Sequence, residues 1–180
     1  MLEDKILVWK LNRGRKNVLC DIYEKYKHEL VTLSAALLSN KDAAEDVVHD
    51  VFLRLINANG SLKIKTNLKG YLMTAVANTS RNKNRSAGIR QTVEISDDLI
   101  QDDQSVDPEA STIFGEDKNQ LISALSQLPY EQKEVILLRV YSRLKFKTIA
   151  QTLNESINTV QGRYRYGLEK LRSIFDGAPK

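Results

Sequence analysis

Residues 145–172, KFKTIAQTLNESINTVQGRYRYGLEKLR, decide how the chain is read. Ile149, Ala150 and Leu153 recur at helical spacing. Asn154-Glu155-Ser156 then makes a polar break in which Ser156 is a natural N-cap. After it, Ile157, Val160, Tyr164, Leu168, Leu171 and Phe175 mark the apolar stripe of a second helix. Helix, short turn and helix, with Ile149, Ala150 and Leu153 set against Ile157 and Val160, predict a helix-turn-helix whose second helix enters the major groove of DNA. With that stripe given to the core, the opposite face presents Asn158, Thr159, Gln161, Gly162, Arg163, Arg165 and Tyr166. Amides at such positions pair with adenine, and arginines with guanine or phosphate. The two glycines each cost a helix interior about 1 kcal/mol relative to alanine. Gly162 faces outward beside Arg163, where smallness lets the backbone approach DNA. Gly167 adjoins the stripe at Leu168, where it allows helices to pack closely.

Working outward, Leu121, Ile122, Leu125 and Leu128 predict a helix that Pro129 ends, and Val135, Ile136, Leu138 and Val140 predict another over Glu131–Tyr141. Near the N-terminus, Leu19, Ile22, Tyr23, Tyr26, Leu30, Leu33 and Leu37 trace one helical face. Ser39-Asn40 can cap the next helix, which carries Ala44, Val47, Val48, Val51, Phe52 and Leu55. A polar loop over residues 57–67 leads to a third helix with Leu68, Tyr71, Leu72, Ala75, Val76 and Thr79. No strand period or repeat occurs, so the expected fold is all-α. Two small helical domains, residues 1–90 and 118–180, flank a linker at 91–117.

Charge follows the same division. The net charge of +4 conceals eight bases and no acid from Val51 to Val93, then nine acids and no base from Glu94 to Asp117. Ten bases against five acids follow from Asn119 onward. Two basic blocks around an acidic one predict polyanion-binding faces. Nothing approaches the roughly 20 apolar residues that cross a bilayer, and the first residues lack the pattern of an export signal. The one cysteine, Cys20 in VLCDIY, can form no intrachain disulfide. It is expected to be buried, and it suits a reducing, cytoplasmic setting. There is no phosphate-binding glycine loop, and His28 and His49 are far apart, so neither an enzyme site, a metal site nor a cofactor is expected.

The segments also resemble a known family. LSQLPYEQKEVILLR and IAQTLNESINTVQGRYRYGLEKLR are similar to region 4 of extracytoplasmic-function sigma factors, the small two-domain class of the bacterial sigma-70 superfamily. DAAEDVVHDVFLRL and GYLMTAVANTSRNKNR resemble its region 2. His49, Asn82, Asn154 and Gln161-Gly162 depart from the family's usual Gln, Asp, Gly and Lys-Ser.

The resemblance implies binding to RNA polymerase core enzyme through Asp46, Val47, Asp50, Phe52 and Arg54. It implies minus-ten DNA at Lys63, Lys65, Asn78, Arg81, Asn82 and Arg85, and minus-thirty-five DNA at the outward face of the last helix. An anti-sigma protein is a further partner that the resemblance admits. Taken alone, the residues also fit a helix-turn-helix regulator with a helical dimerisation domain, or a helical adaptor that binds only protein.

Overall fold

The computed structural model describes residues 2–15, 17–58, 64, 67–87 and 120–177. Among these, every regular element is helical: α1 (Leu2–Asn12), α2 (Val18–Leu38), α3 (Lys41–Asn57), α4 (Leu68–Ala87), α5 (residues 120–126), α6 (Tyr130–Ile136), α7 (Phe146–Leu153) and α8 (Ile157–Asp176). The linker at 91–117 lies outside the described residues.

Local chemistry sets most boundaries. Ser39 ends α2 in the left-handed region at φ 55°, its N–H donating to the Ala35 carbonyl at 2.8 Å. Asn40 then caps α3, accepting from the Ala43 N–H at 2.8 Å. At the other end of the chain Asn154 takes φ 53°, a conformation an asparagine reaches more easily than most residues because its short amide can bond locally. Ser156 accepts from the Thr159 N–H at 3.0 Å, and so starts α8. The helix expected over Glu131–Tyr141 changes pitch midway. Leu137–Tyr141 is a π turn closed by the Ser142 N–H on the Leu137 carbonyl at 3.0 Å, a widening that hydrophobic spacing does not announce.

In the N-terminal half α2, α3 and α4 pack together through Ile22, Leu30, Leu33, Leu37, Val47, Val48, Leu72, Met73 and Val76, all buried. Tyr23 meets Phe52 edge to face at 5.0 Å, and Ser34 and Ser80 share a buried hydrogen bond of 3.0 Å. Helix α1, which the sequence reading did not foresee, is fastened to α2 by polar contacts. The Tyr26 hydroxyl donates to Asp4 at 2.7 Å, and Lys25 bridges Glu3 and Asp4 at 2.9 and 3.0 Å. Cys20 is exposed, against expectation. The buried stripe of α2 runs through Leu19, Ile22 and Tyr26, and one position past Leu19 turns the thiol out of it.

The halves are not separate. One apolar cluster contains Leu30, Leu33 and Leu72 from the N-terminal half with Val135, Leu138, Leu144, Ile149 and Val160 from the C-terminal half. Helix α6 packs on α2, and α7 on α4. Gly70 makes room for Leu144, whose methyl lies 3.4 Å from where a Cβ would stand.

Candidate nucleic-acid interface

Helix α8 is held against α6 and α7 by a narrower stripe than the sequence predicted. Val160, Gly167 and Leu171 are buried, with Tyr164 and Ile174 partly so, positions that follow one another by four, three, four and three. Ile157, Leu168 and Phe175, which were assigned to the stripe, are exposed, because each sits at the edge of the arc that α6 covers. Phe146 meets Tyr164 edge to face at 5.3 Å, and the Arg139 guanidinium lies over Phe146 at 4.9 Å. This fixes α7 beneath α8.

The opposite face carries the expected residues. Asn158, Thr159, Gln161, Arg165 and Tyr166 are exposed, with Gly162 and Arg163 at intermediate exposure. Arg165 stacks its guanidinium over the Tyr166 ring at 4.8 Å, and Arg163 pairs with Glu155 at 2.9 Å. The two glycines divide as predicted in space. A Cβ on Gly167 would stand 2.7 Å from Ile136 Cδ1 and 3.2 Å from Gln132 Cβ, whereas one on Gly162 would meet nothing nearer than Tyr166 at 4.0 Å.

On α4, Asn82 and Arg85 are exposed, and Asn78 and Arg81 are half-buried. Lys63 and Lys65 lie outside the described residues. The acid-free basic block is not acid-free in three dimensions, because partners arrive from elsewhere in the chain. Arg81 donates to both carboxylate oxygens of Glu134, Nε at 3.1 and 3.3 Å and Nη2 at 2.8 Å. Lys83 pairs with Asp46 at 3.0 Å, and Lys69 pairs with Glu29 at 2.6 Å. Burial pushes the Glu134 carboxyl above the ordinary range, and the Arg81 guanidinium opposes that push. Burial likewise pulls the neighbouring Lys133 ammonium down.

On α3 the structure corrects the expected polymerase contacts. Val47 and Phe52 are 0% and 5% exposed. They face α2 and α4, so they are core side chains and not surface ones. Asp46, Asp50 and Arg54 are exposed, although Arg54 also donates to Thr79 at 3.3 Å. The apolar part of the exposed face is Leu53 and Ile56, which the sequence reading passed over. Both were legible as apolar residues off the buried stripe Val47, Val48, Val51, Phe52 and Leu55.

Comparison with known proteins agrees with this arrangement. Residues 22–89 match the model of Sigma-70 region 2, and residues 118–171 match that of Sigma-70, region 4. The RNA polymerase sigma-H factor of Pseudomonas aeruginosa is 24% identical over 171 residues, covering 89% of this chain and 88% of that protein. The extracytoplasmic-function factor SigW of Bacillus subtilis is 25% identical over 171 residues, covering 91% of each. Among solved structures, CnrH in complex with the cytosolic domain of CnrY superposes with a TM-score of 0.68 at 19% identity, over 98% of this chain and 99% of that one. The sigma factor RpoE bound to the anti-sigma factor NepR from Bartonella quintana gives 0.63 at 23% identity, over 88% and 99%. The two region matches, in order along one all-helical chain, place it in the sigma-70 family, as an RNA polymerase sigma factor of the extracytoplasmic-function class.

Proposed function

We propose that this sigma factor divides its work among three surfaces, none of them catalytic. The outward face of α8, from Asn158 to Tyr166, reads the minus-thirty-five element in the major groove. Asn78, Arg81, Asn82 and Arg85 of α4 receive the opened minus-ten strand. The exposed face of α3, with Asp46, Asp50, Arg54, Leu53 and Ile56, docks on core polymerase in the cytoplasm. One observation carries the reading: α8 buries Val160, Gly167 and Leu171 while leaving its amide and guanidinium side chains on the other face. Basic and amide side chains on that arc, where Glu155 pairs with Arg163, suit a polyanion. The solved relatives bound to CnrY and NepR support an anti-sigma protein as a further partner.

The test is transcription in vitro with purified core enzyme on a genomic library, with start sites sequenced. The chain should bind promoters sequence-specifically only with core polymerase. Binding to a two-fold operator by the chain alone would instead mark a repressor. On a cognate promoter Arg163→Ala should cost about 1 to 3 kcal/mol if the guanidinium reads a base. If it grips phosphate, all sequences weaken evenly and the salt slope falls by about one. Normal initiation by that variant refutes the placement of α8.

A further inference from the structure

The acid that neutralises Arg81 comes from the other half of the chain, 53 positions away. Glu134 presents both oxygens to the guanidinium in the forked geometry by which arginine also holds phosphate. Its side chain is 3% exposed, against 29% for Arg81. The carboxylate is therefore sheathed, and the arginine is reachable from solvent at its edge. Arg163 of α8 is paired elsewhere, with Glu155 at 2.9 Å, and adds only a weaker long-range attraction to this carboxylate. Through Glu134, α4 is thus tied to the half of the chain that carries α8. Promoter elements centred about 25 base pairs apart are separated by about 85 Å of duplex at 3.4 Å per step, so the two helices cannot read both in this arrangement.

The contact between the halves mixes adhesive and costly parts. Leu144 against Gly70, together with Val135 and Leu138, supplies apolar closure. The Lys133 ammonium is buried across this contact, with the Ser39 hydroxyl at 3.5 Å. Burying the charges of Lys133 and Glu134 works against closure, so the apolar gain of this contact is partly offset.

We propose that Glu134 stands in for nucleic acid at Arg81: the free chain closes on itself through this pair, and promoter DNA must displace the carboxylate. The proposal rests on the reading that α4 receives the minus-ten strand. It makes the closed molecule a form that withholds Arg81 until the halves part.

The experiment uses the full chain and a fluorescein-labelled single-stranded DNA of random sequence. Anisotropy reports its affinity, and small-angle scattering reports the radius of gyration. Glu134→Lys sets a like charge against Arg81, so the chain should expand and bind about tenfold or more tightly, the worth of one freed charge-assisted contact. Glu131→Lys makes the same charge change at an exposed neighbour, so any gain it shows measures charge alone. A Glu134→Lys chain that stays compact, or gains no more affinity than Glu131→Lys, overturns the proposal.

A second arm does not depend on how that variant folds. Tyr141 donates to the Glu29 carbonyl across the halves at 3.3 Å. In a Cys20→Ser background, Glu29→Cys with Tyr141→Cys can therefore be joined by a thiol-cleavable bismaleimide. The locked chain should fail to initiate with core polymerase and recover on cleavage, and undiminished initiation while locked overturns the proposal. Arg81→Ala in the assembled holoenzyme tests the underlying reading separately: equal transcription to the parent on duplex and pre-opened templates removes Arg81 from the minus-ten site, whatever the locked chain does.

Discussion

Gly162 and Gly167 are five positions apart on one helix and share the same intrinsic cost, yet their surroundings assign them opposite tasks. At Gly167 even a methyl group meets Ile136 Cδ1 at 2.7 Å and Gln132 Cβ at 3.2 Å, with Ile136 itself buried in the cluster of Ala124, Leu128 and Leu171. Gly167→Ala should therefore destabilise the chain by about 1 to 3 kcal/mol, overpacking outweighing the gain of about 1 kcal/mol in helix propensity. Gly162→Ala meets open space. It should raise stability by up to about 1 kcal/mol, measured by urea denaturation, while weakening promoter binding if DNA approaches the backbone there. Unchanged binding would show that this glycine has no part in the approach. The sequence sufficed to separate the two, because one adjoins apolar residues and the other adjoins Arg163. It did not suffice for Cys20, whose apolar neighbours in VLCDIY hide a one-position turn away from the core.

At the scale of elements, what was legible is what local chemistry controls. The start of α3 at Asn40 and of α8 at Ser156 follows from cap residues placed before an apolar period, and the helical spacing of Ile149, Ala150 and Leu153 appears as the helix Phe146–Leu153. Helix α1 escaped because its apolar residues, Ile6, Leu7, Val8, Trp9 and Leu11, do not fall on one face. Leu11 is buried in the core and Leu7 and Val8 pack against it, while Asp4, Tyr26, Lys25 and Glu3 add a polar attachment across two helices. That attachment is acid-sensitive. The hydrogen bond from Tyr26, joined by the Lys25 charge, holds the Asp4 carboxyl below its ordinary 3.8. A depressed carboxyl stabilises the folded form above its unfolded value, and the gain is lost as pH falls through the folded value. Tyr26→Phe removes the largest cause, so the folded value moves up and α1 should release at a higher pH than in the parent. Trp9, the one tryptophan, sits on α1 with the Arg13 guanidinium 4.0 Å from its ring and reports the release by fluorescence. Coincident acid transitions in parent and variant would mean that Asp4 does not hold the helix.

For the whole molecule, the sequence divides the chain into two domains, and the structure closes them on each other. That closure was not legible, because it arises from pairs such as Arg81 with Glu134 and Tyr141 with Glu29, far apart in the chain and belonging to no common motif. Lys133 measures what the closure costs. Its ammonium is buried, 7% exposed, near the Ser39 hydroxyl, and burial alone pulls its pKa below 10.5. Replacing such a charge by an apolar side chain of similar length should strengthen the closed form, so Lys133→Met is expected to raise stability by about 1 kcal/mol or more at neutral pH. The advantage should depend on pH with a fixed sign. Between the lowered folded value and 10.5 the unfolded chain still binds the proton that the folded chain has released. The parent therefore gains stability as pH rises through that window, and the lead of Lys133→Met shrinks. Urea titrations of both proteins at pH 7 and pH 10 measure the difference directly, and groups common to both cancel. A lead that holds constant or widens toward pH 10 would mean the Lys133 ammonium reaches water and that its burial is not what closure costs. A lead that shrinks, together with slower initiation by Lys133→Met on a cognate promoter, would tie that cost to the ease with which the two halves part.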